Sequence, residues 1–369
     1  MATQKGIIVA VAMSGGVDSS VAAVLLQNQG YRVIGLTMQL WDYQNVGDNI
    51  HCETVCRSME SMNDAQAVCE KLGISHHVVD VSREFESAVI ENFVEEYLKG
   101  RTPNPCIVCN VQIKWGSLRR KAHKIGAEYF ATGHYARVHV DSKNNRYLLL
   151  KGCDHTKDQS YALWGLTQDD LSHTLFPLGE MNKAQVREIA RSLKVKTAER
   201  DESQEICFIP DDDYDRFIRQ RVSELEEKIG IGDIVDTAGK VLGQHRGYPF
   251  YTIGQRHGLK IAVGMPVYVA EIIPEQNRLV VAQKEALYRR GLVAAQLNWI
   301  AFEKFEAPIR AFVKIRYKDP GSFARLYPQP EGGVRVEFEQ PQWAVTPGQS
   351  VVFYQKDVVL GGGVIESSF

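Results

Sequence analysis

The chain has 369 residues, enough for two or three domains with ample core. Apolar residues make up 44% and charged residues 24%, the balance of a globular protein rather than of a disordered or fibrous one. The net charge of -2 excludes a globally basic nucleic-acid binder, so any polyanion must be met by a local patch.

Residues 1–13, MATQKGIIVAVAM, have a lysine followed by an apolar run, as a secretory leader does. The run passes straight into SGGVDSS with no small-residue cleavage site, so it is read as a buried first strand. No run approaches the roughly 20 apolar residues of a membrane span. Seven cysteines, an odd number spread through a long chain, do not make a secreted disulfide framework, and the expected compartment is reducing cytoplasm.

DSSVAAVLLQNQG reads as a helix with Val17, Val21, Val24 and Leu25 on one face and Gly30 as its stop. YRVIGLTM and HHVVDV are further strands, with helices DAQAVCEKLG and EFESAVIENFVEEYLKG around them. TPNPCIVCN follows, read as an extended loop because two prolines stand before its cysteines. IKWGSLRRKAHKIG is a helix carrying Lys114, Arg119, Arg120, Lys121 and Lys124. EYFATGHY is another strand, and NKAQVREIARSLK a late basic helix capped by Asn182. Strand and helix alternate, so residues 1–214 are expected to form an α/β domain on a parallel sheet. After Asp215 the turns become glycine-rich, which predicts a small β-rich module over 215–284. FVKIRY, VRVEFEQ and SVVFYQ then alternate polar and apolar residues, which predicts an antiparallel barrel or sandwich over 285–369.

SGGVDSS lies between the first strand and the first helix. Gly15 and Gly16 let the backbone wrap a phosphate, Ser14, Ser19 and Ser20 add hydroxyls, and the helix start adds N–H groups. No lysine follows in the GK[ST] position, so this is not a Walker A loop. The string resembles the PP-loop of ATP pyrophosphatases, which split ATP between its α- and β-phosphates and adenylate a substrate. GRTPNPCIVCN, ATGHYAR, KDQSY, LFPLGE, DESQEICFI, TIGQRHGL, VTPGQS and GGGVI extend the likeness from residue 12 to residue 364. Together they resemble the bacterial tRNA-specific 2-thiouridylases.

That resemblance implies a PP-loop domain, a central β-rich module and a C-terminal β-barrel. It implies ATP bound by Ala12, Met13, Ser14, Gly15, Gly16, Val17, Asp18 and Ser19, with Met38 and Gly133, and Mg2+ held with the help of Asp18. Cys207 would carry a persulfide and Cys109 would be its partner thiol, ending in a disulfide. Asn104, Pro105 and Cys106 would surround the target base. His134, Lys157, Asp158, Gln159, Arg316, Tyr317 and Gln349 would touch the tRNA. Deleting residues from about 285 onward is therefore expected to cost tRNA affinity more than ATP affinity. The implied partners are tRNA and a sulfur-donor protein. Basic neighbours or a helix end are expected to lower the thiol pKa values.

The pattern departs from the resemblance at one place: many thiouridylases have aspartate where Cys106 stands. Cys106, Cys109 and Cys207 would then offer three thiolates to a 4Fe–4S cluster, an alternative to the persulfide route. Of the other cysteines, Cys69 reads as core and Cys153 as structural. Cys52 and Cys56, beside His51, read as a loop in preference to a metal site. Two other functions stay open on residues alone: a PP-loop ligase for a small molecule, and a tRNA-binding protein with a zinc-filled CxxC.

Overall fold

The computed structural model describes residues 6–41, 52–193, 206–209, 211–330 and 332–369, the side chains of 52–58 and 226 excepted. The seventeen strands below are those of the described residues. His51 lies outside them; Cys52 and Cys56 lie on the backbone of the helix Cys52–Leu72, where a loop is expected from sequence.

A parallel sheet forms from β1 (Ile8–Ala12), β2 (Arg32–Gln39), β3 (Ser75–Asp80), β4 (Tyr129–Ala131) and β7 (Thr174–Leu175), in the order β3-β2-β1-β4-β7. Val9, Ala10 and Val11 of β1 have no exposed surface, as an apolar run covered on both faces must. The strand order reverses between β1 and β4, and such a switch point is where α/β sheets open a crevice at their C-terminal edge. The helix Val17–Asn28 packs there, with Val21, Ala22, Ala23 and Leu26 inside, and ends before Gly30 at φ +91°. Leu25 is only half-buried. Asn182 caps the helix Lys183–Ser192 through a reciprocal box with Gln185, as expected.

Between β4 and β7 the chain inserts an antiparallel hairpin, β5 (Ala136–Asp141) and β6 (Arg146–Lys151). The central module is a four-stranded sheet of β8 (Gly232–Val235), β9 (Val241–His245), β10 (Tyr268–Ile273) and β11 (Arg278–Ala282), ordered β10-β11-β8-β9. The remaining strands are β12 (Tyr288–Trp299), β13 (Ile309–Lys314), β14 (Ser322–Pro328), β15 (Val334–Trp343), β16 (Ser350–Gln355) and β17 (Val358–Ser368). They run β12-β15-β14-β13-β16-β17, and β12 pairs again with β17, closing a six-stranded antiparallel barrel. In GGGVI a side chain on Gly362 would reach within 2.7 Å of the Trp164 ring, so this motif is architectural.

Cores cross the segment limits. Phe85, Phe93, Phe208 and Phe217 pack with Ile234, Tyr248, Phe250 and Val269 of the central module. Ala10, Trp115, Phe130 and Trp164 share another core with Val352, Tyr354 and Val359 of the barrel. The hairpin joins the barrel at Leu150 opposite Val358. A deletion from residue 285 would therefore open the core of the nucleotide-binding half. The expected comparison of tRNA and ATP affinity after such a deletion therefore requires a truncated chain that still folds.

Candidate active site

The SGGVDSS loop leaves β1 at the switch point. Gly15 adopts φ +71° and lies against the Ser61 carbonyl, where a side chain would collide. The loop is tied to itself. The Ser14 N–H donates to Ser19 Oγ (3.2 Å), and the Ser19 and Ser20 hydroxyls donate to the Gly16 carbonyl (3.1 and 2.8 Å). Gly133, just beyond β4, faces the loop from the other side of the crevice. A Cβ there would stand 2.7 Å from the Asp18 carbonyl carbon and 2.8 Å from the Ser19 nitrogen, so only glycine permits this approach. Met38, next to last in β2, is half-buried between two cores. Ala12, Met13 and Val17 complete the cradle as its half-buried or buried apolar members.

Asp18 is not a free carboxylate. Lys183 Nζ donates to both its oxygens, at 2.7 and 2.8 Å, and the Tyr135 hydroxyl donates to it at 2.9 Å. A single carboxylate beside a phosphate loop is what Mg2+ uses in nucleotide sites, with phosphate oxygens and water as its other ligands. Asp18 fits that role.

TPNPCIVCN is helical from Pro105, and the helical path continues to Lys124 through a wider π-type stretch, Cys109–Leu118. This corrects the extended loop. Proline at the first helical position lacks only an N–H that would have no partner anyway. Cys106 and Cys109, three apart, thus share a helix face. The third thiol, Cys207, comes from the turn Ile206–Ile209, anchored by buried Phe208 and Ile209. Cys106 and Cys109 act electrostatically on Cys207, Cys106 acts on Cys109, and Lys114 acts on all three. Cys106 and Cys207 are exposed and Cys109 is half-buried.

Burial pushes all three thiols up, Cys109 to about 11, and Lys114 offsets only part of this. The expected lowering is corrected: desolvation of a thiolate outweighs one ammonium. An ordinary thiol ionises near 9.0, so Cys109 should remain protonated where the unfolded chain has begun to ionise. The stabilisation this gives the fold is complete below about 9 and lost as pH rises through about 11. Iodoacetamide labelling followed by peptide mass spectrometry should show the Cys109 rate still climbing above about pH 9, and Lys114→Met should delay it further. A midpoint at or below about 8 in the folded protein would contradict the burial argument.

The five cysteines whose side chains are described are all free. Cys69 is core, as expected; Cys153 is exposed and donates to Glu180 at 2.9 Å. Among the described residues, no three His, Cys, Asp or Glu side chains are arranged to hold a metal ion.

The residues expected at tRNA gather on the seam between the nucleotide-binding half and the barrel. The Asn104 amide donates to Gln349 (3.1 Å) and its oxygen accepts from the Ser350 N–H (2.7 Å), while Gln349 donates to the Thr102 and Pro103 carbonyls. Tyr317, exposed, donates to the Asp158 carbonyl at 3.3 Å. Gln159 accepts from the Tyr135 N–H, Arg316 donates to the Trp343 carbonyl, and Lys157 is half-buried beside them in sequence. His134 bonds Thr132 through Nδ1 and packs near Trp115 and Phe176; burial holds its pKa well below the usual value, so near neutral pH it offers a hydrogen bond and no charge.

Several charges of the basic helices are engaged within the protein. Arg119 bonds Asp169 and Asp170, both at 2.7 Å, and Lys121 bonds the Asp80 carbonyl. Lys183 bonds Asp18. No local signal in the sequence marks Lys114 or Lys183 as part of the site.

A parallel sheet with this loop at its switch point, beside a cleft of three thiols, defines a PP-loop enzyme of the HUP class. Family models match residues 7–211 as a tRNA methyl transferase HUP domain, 216–283 as a tRNA methyl transferase PRC-barrel domain and 289–365 as an aminomethyltransferase β-barrel domain. The chain is 49% identical to the tRNA-specific 2-thiouridylase MnmA of Salinibacter ruber over 364 residues, 98% of this chain and 95% of that one. It is 48% identical to the MnmA of Cytophaga hutchinsonii over 369 residues, 100% and 99% of the two chains. The chain belongs to the tRNA-specific 2-thiouridylase family. A solved tRNA thiolase, NcsA from Methanococcus maripaludis with its 4Fe–4S cluster, overlays 62% of this chain and 69% of its own at 19% identity and a TM-score of 0.35. No described helix is long and apolar enough to cross a membrane.

Proposed function

We propose that the protein is an ATP-dependent tRNA-uridine 2-sulfurtransferase acting on a wobble uridine. Uracil O2 attacks the α-phosphorus of ATP, pyrophosphate leaves, and C2 then carries AMP as a good leaving group. The terminal sulfur of a persulfide on Cys207 attacks C2 and AMP departs. The Cys109 thiolate then attacks the inner sulfur of Cys207. This releases the base as 2-thiouridine and leaves a Cys109–Cys207 disulfide, which a dithiol reductant resets. A sulfur-donor protein is the proposed source of the persulfide, and the cytoplasm the proposed site.

In this reading residues 1–214 carry the chemistry, 215–284 brace it and 285–369 meet the tRNA. Asn104, Pro105 and Cys106 frame a flipped base, and His134, Lys157, Asp158, Gln159, Arg316, Tyr317 and Gln349 line the seam around it. The SGGVDSS cradle with Met38 and Gly133 holds ATP, and Asp18 holds Mg2+, which when bound neutralises charge on the phosphate oxygens. Lys114 supplies the cation against which a thiolate or persulfide anion forms.

The observation that supports the reading best is that Cys106 and Cys109, three apart on one helix, lie near enough to Cys207 to act on it electrostatically, with Lys114 as a cation beside all three. It favours sulfur transfer over methyl transfer or small-molecule ligation, neither of which requires three thiols. It supports a 4Fe–4S route less well, because the three are not arranged as metal ligands. The persulfide route needs only two of them, which leaves Cys106 beside the base.

The test is incubation with unmodified tRNA, ATP and a persulfide donor. AMP and pyrophosphate should form only when tRNA is present, and digested tRNA should contain 2-thiouridine by mass spectrometry. ATP turnover that ignores tRNA would remove the proposal.

A further inference from the structure

We infer that Lys183 is a ligand of the ATP triphosphate, filling from a distant helix the place that a Walker lysine would take. The inference rests on the reading of SGGVDSS as an ATP loop. Its sequence carries an aspartate and no lysine, so by itself it would set negative charge against the nucleotide's. The fold answers with an ammonium 165 residues away, bound to both Asp18 oxygens at 2.7 and 2.8 Å.

The placement is rigid. The Lys183 N–H donates to Asp154 at 3.0 Å, and the Asn182–Gln185 box fixes the turn that carries it. The side chain is 12% exposed and passes over the Tyr135 ring, with Nζ 5.7 Å from the centroid. Asp18 is 29% exposed, so the pair sits at the mouth of the loop rather than deep in the core. Tyr135 shares the same carboxylate, and Gly133 two residues earlier touches the backbone of Asp18 and Ser19. Lys183 therefore stands on the rim where phosphates beyond the cradled one must lie. Without nucleotide it neutralises Asp18. With ATP bound it has a stronger anion within reach of a small side-chain swing, and that move frees Asp18. In adenylation the β- and γ-phosphates leave together, so the residue would also hold the departing pyrophosphate.

Calorimetric titration of ATP, pyrophosphate and AMP into the full chain tests this. Lys183→Met keeps the stem over Tyr135 and removes the charge. ATP and pyrophosphate affinity should fall roughly 10- to 100-fold, the loss expected for a charge-assisted hydrogen bond, while AMP affinity should stay within about twofold. Lys183→Arg should restore part of the loss. If Lys183→Met unfolds because Asp18 is stranded, the double variant Asp18→Asn/Lys183→Met measured against Asp18→Asn carries the same comparison. Unchanged ATP affinity, or equal losses for ATP and AMP, would overturn the inference and leave Lys183 a structural partner of Asp18. Wild-type protein that binds no ATP would remove the loop reading and the inference with it.

Discussion

Cys207→Ser should form no 2-thiouridine, a loss of at least about 10³-fold, while still releasing AMP and pyrophosphate in the presence of tRNA. The separation follows from where the residue sits. Its neighbours Phe208 and Ile209 are 3% and 1% exposed and pack among Phe85, Phe93 and Phe217, so the turn is held by them. The Cys207 side chain itself is exposed, and removing one exposed sulfur should change stability by less than about 1 kcal/mol. Neither the phosphate loop nor the Asn104–Gln349 contact includes it. Serine keeps the size but cannot carry a sulfane sulfur. Cys109→Ser should differ in kind: Cys207 can still be charged, and with ATP and tRNA the reaction should stop at tRNA held to Cys207 through two sulfurs, while persulfide should remain on Cys207 when tRNA is withheld. Mass spectrometry of the intact variants reads that difference directly. Thiouridine made by Cys207→Ser would take Cys207 out of the mechanism.

The sequence was most informative where local chemistry decides structure. The fully apolar β1 had to be buried on both faces, and SGGVDSS needed a tight turn at a helix start. Asn182 with Gln185 signalled a cap that the structure contains. It was least informative where distant segments meet. Nothing near residue 18 points to Lys183, and ARVHVDSKNNRYLLLK gives no sign that its second strand pairs with residue 358. Pro105 was misread because proline excludes helix interiors but suits their first position. The thiol acidity was misjudged because burial, which decides it, is a property of the assembled cleft. Lys114 shows both limits: its charge was visible, but the direction it faces was not.

Asp18→Asn should bind ATP and tRNA yet form AMP roughly 10²- to 10³-fold more slowly. In the free protein this change strands the Lys183 ammonium, which is 12% exposed and loses a carboxylate that met it at 2.7 and 2.8 Å. The variant should therefore be less stable without nucleotide. ATP supplies the missing negative charge, so it should raise the melting temperature of Asp18→Asn by more than that of the wild type. Chemistry should still fail, because the asparagine amide is a poor Mg2+ ligand and the α-phosphorus loses the arrangement that accepts uracil O2. Asp18→Ala should behave alike in AMP formation and also lose the Tyr135 contact now made at 2.9 Å. Filter binding of tRNA should be unchanged in both, since the seam that holds Asn104, Tyr317 and Gln349 does not involve this carboxylate. AMP formation at the wild-type rate by either variant would show that Asp18 only anchors Lys183 and takes no part in adenylation.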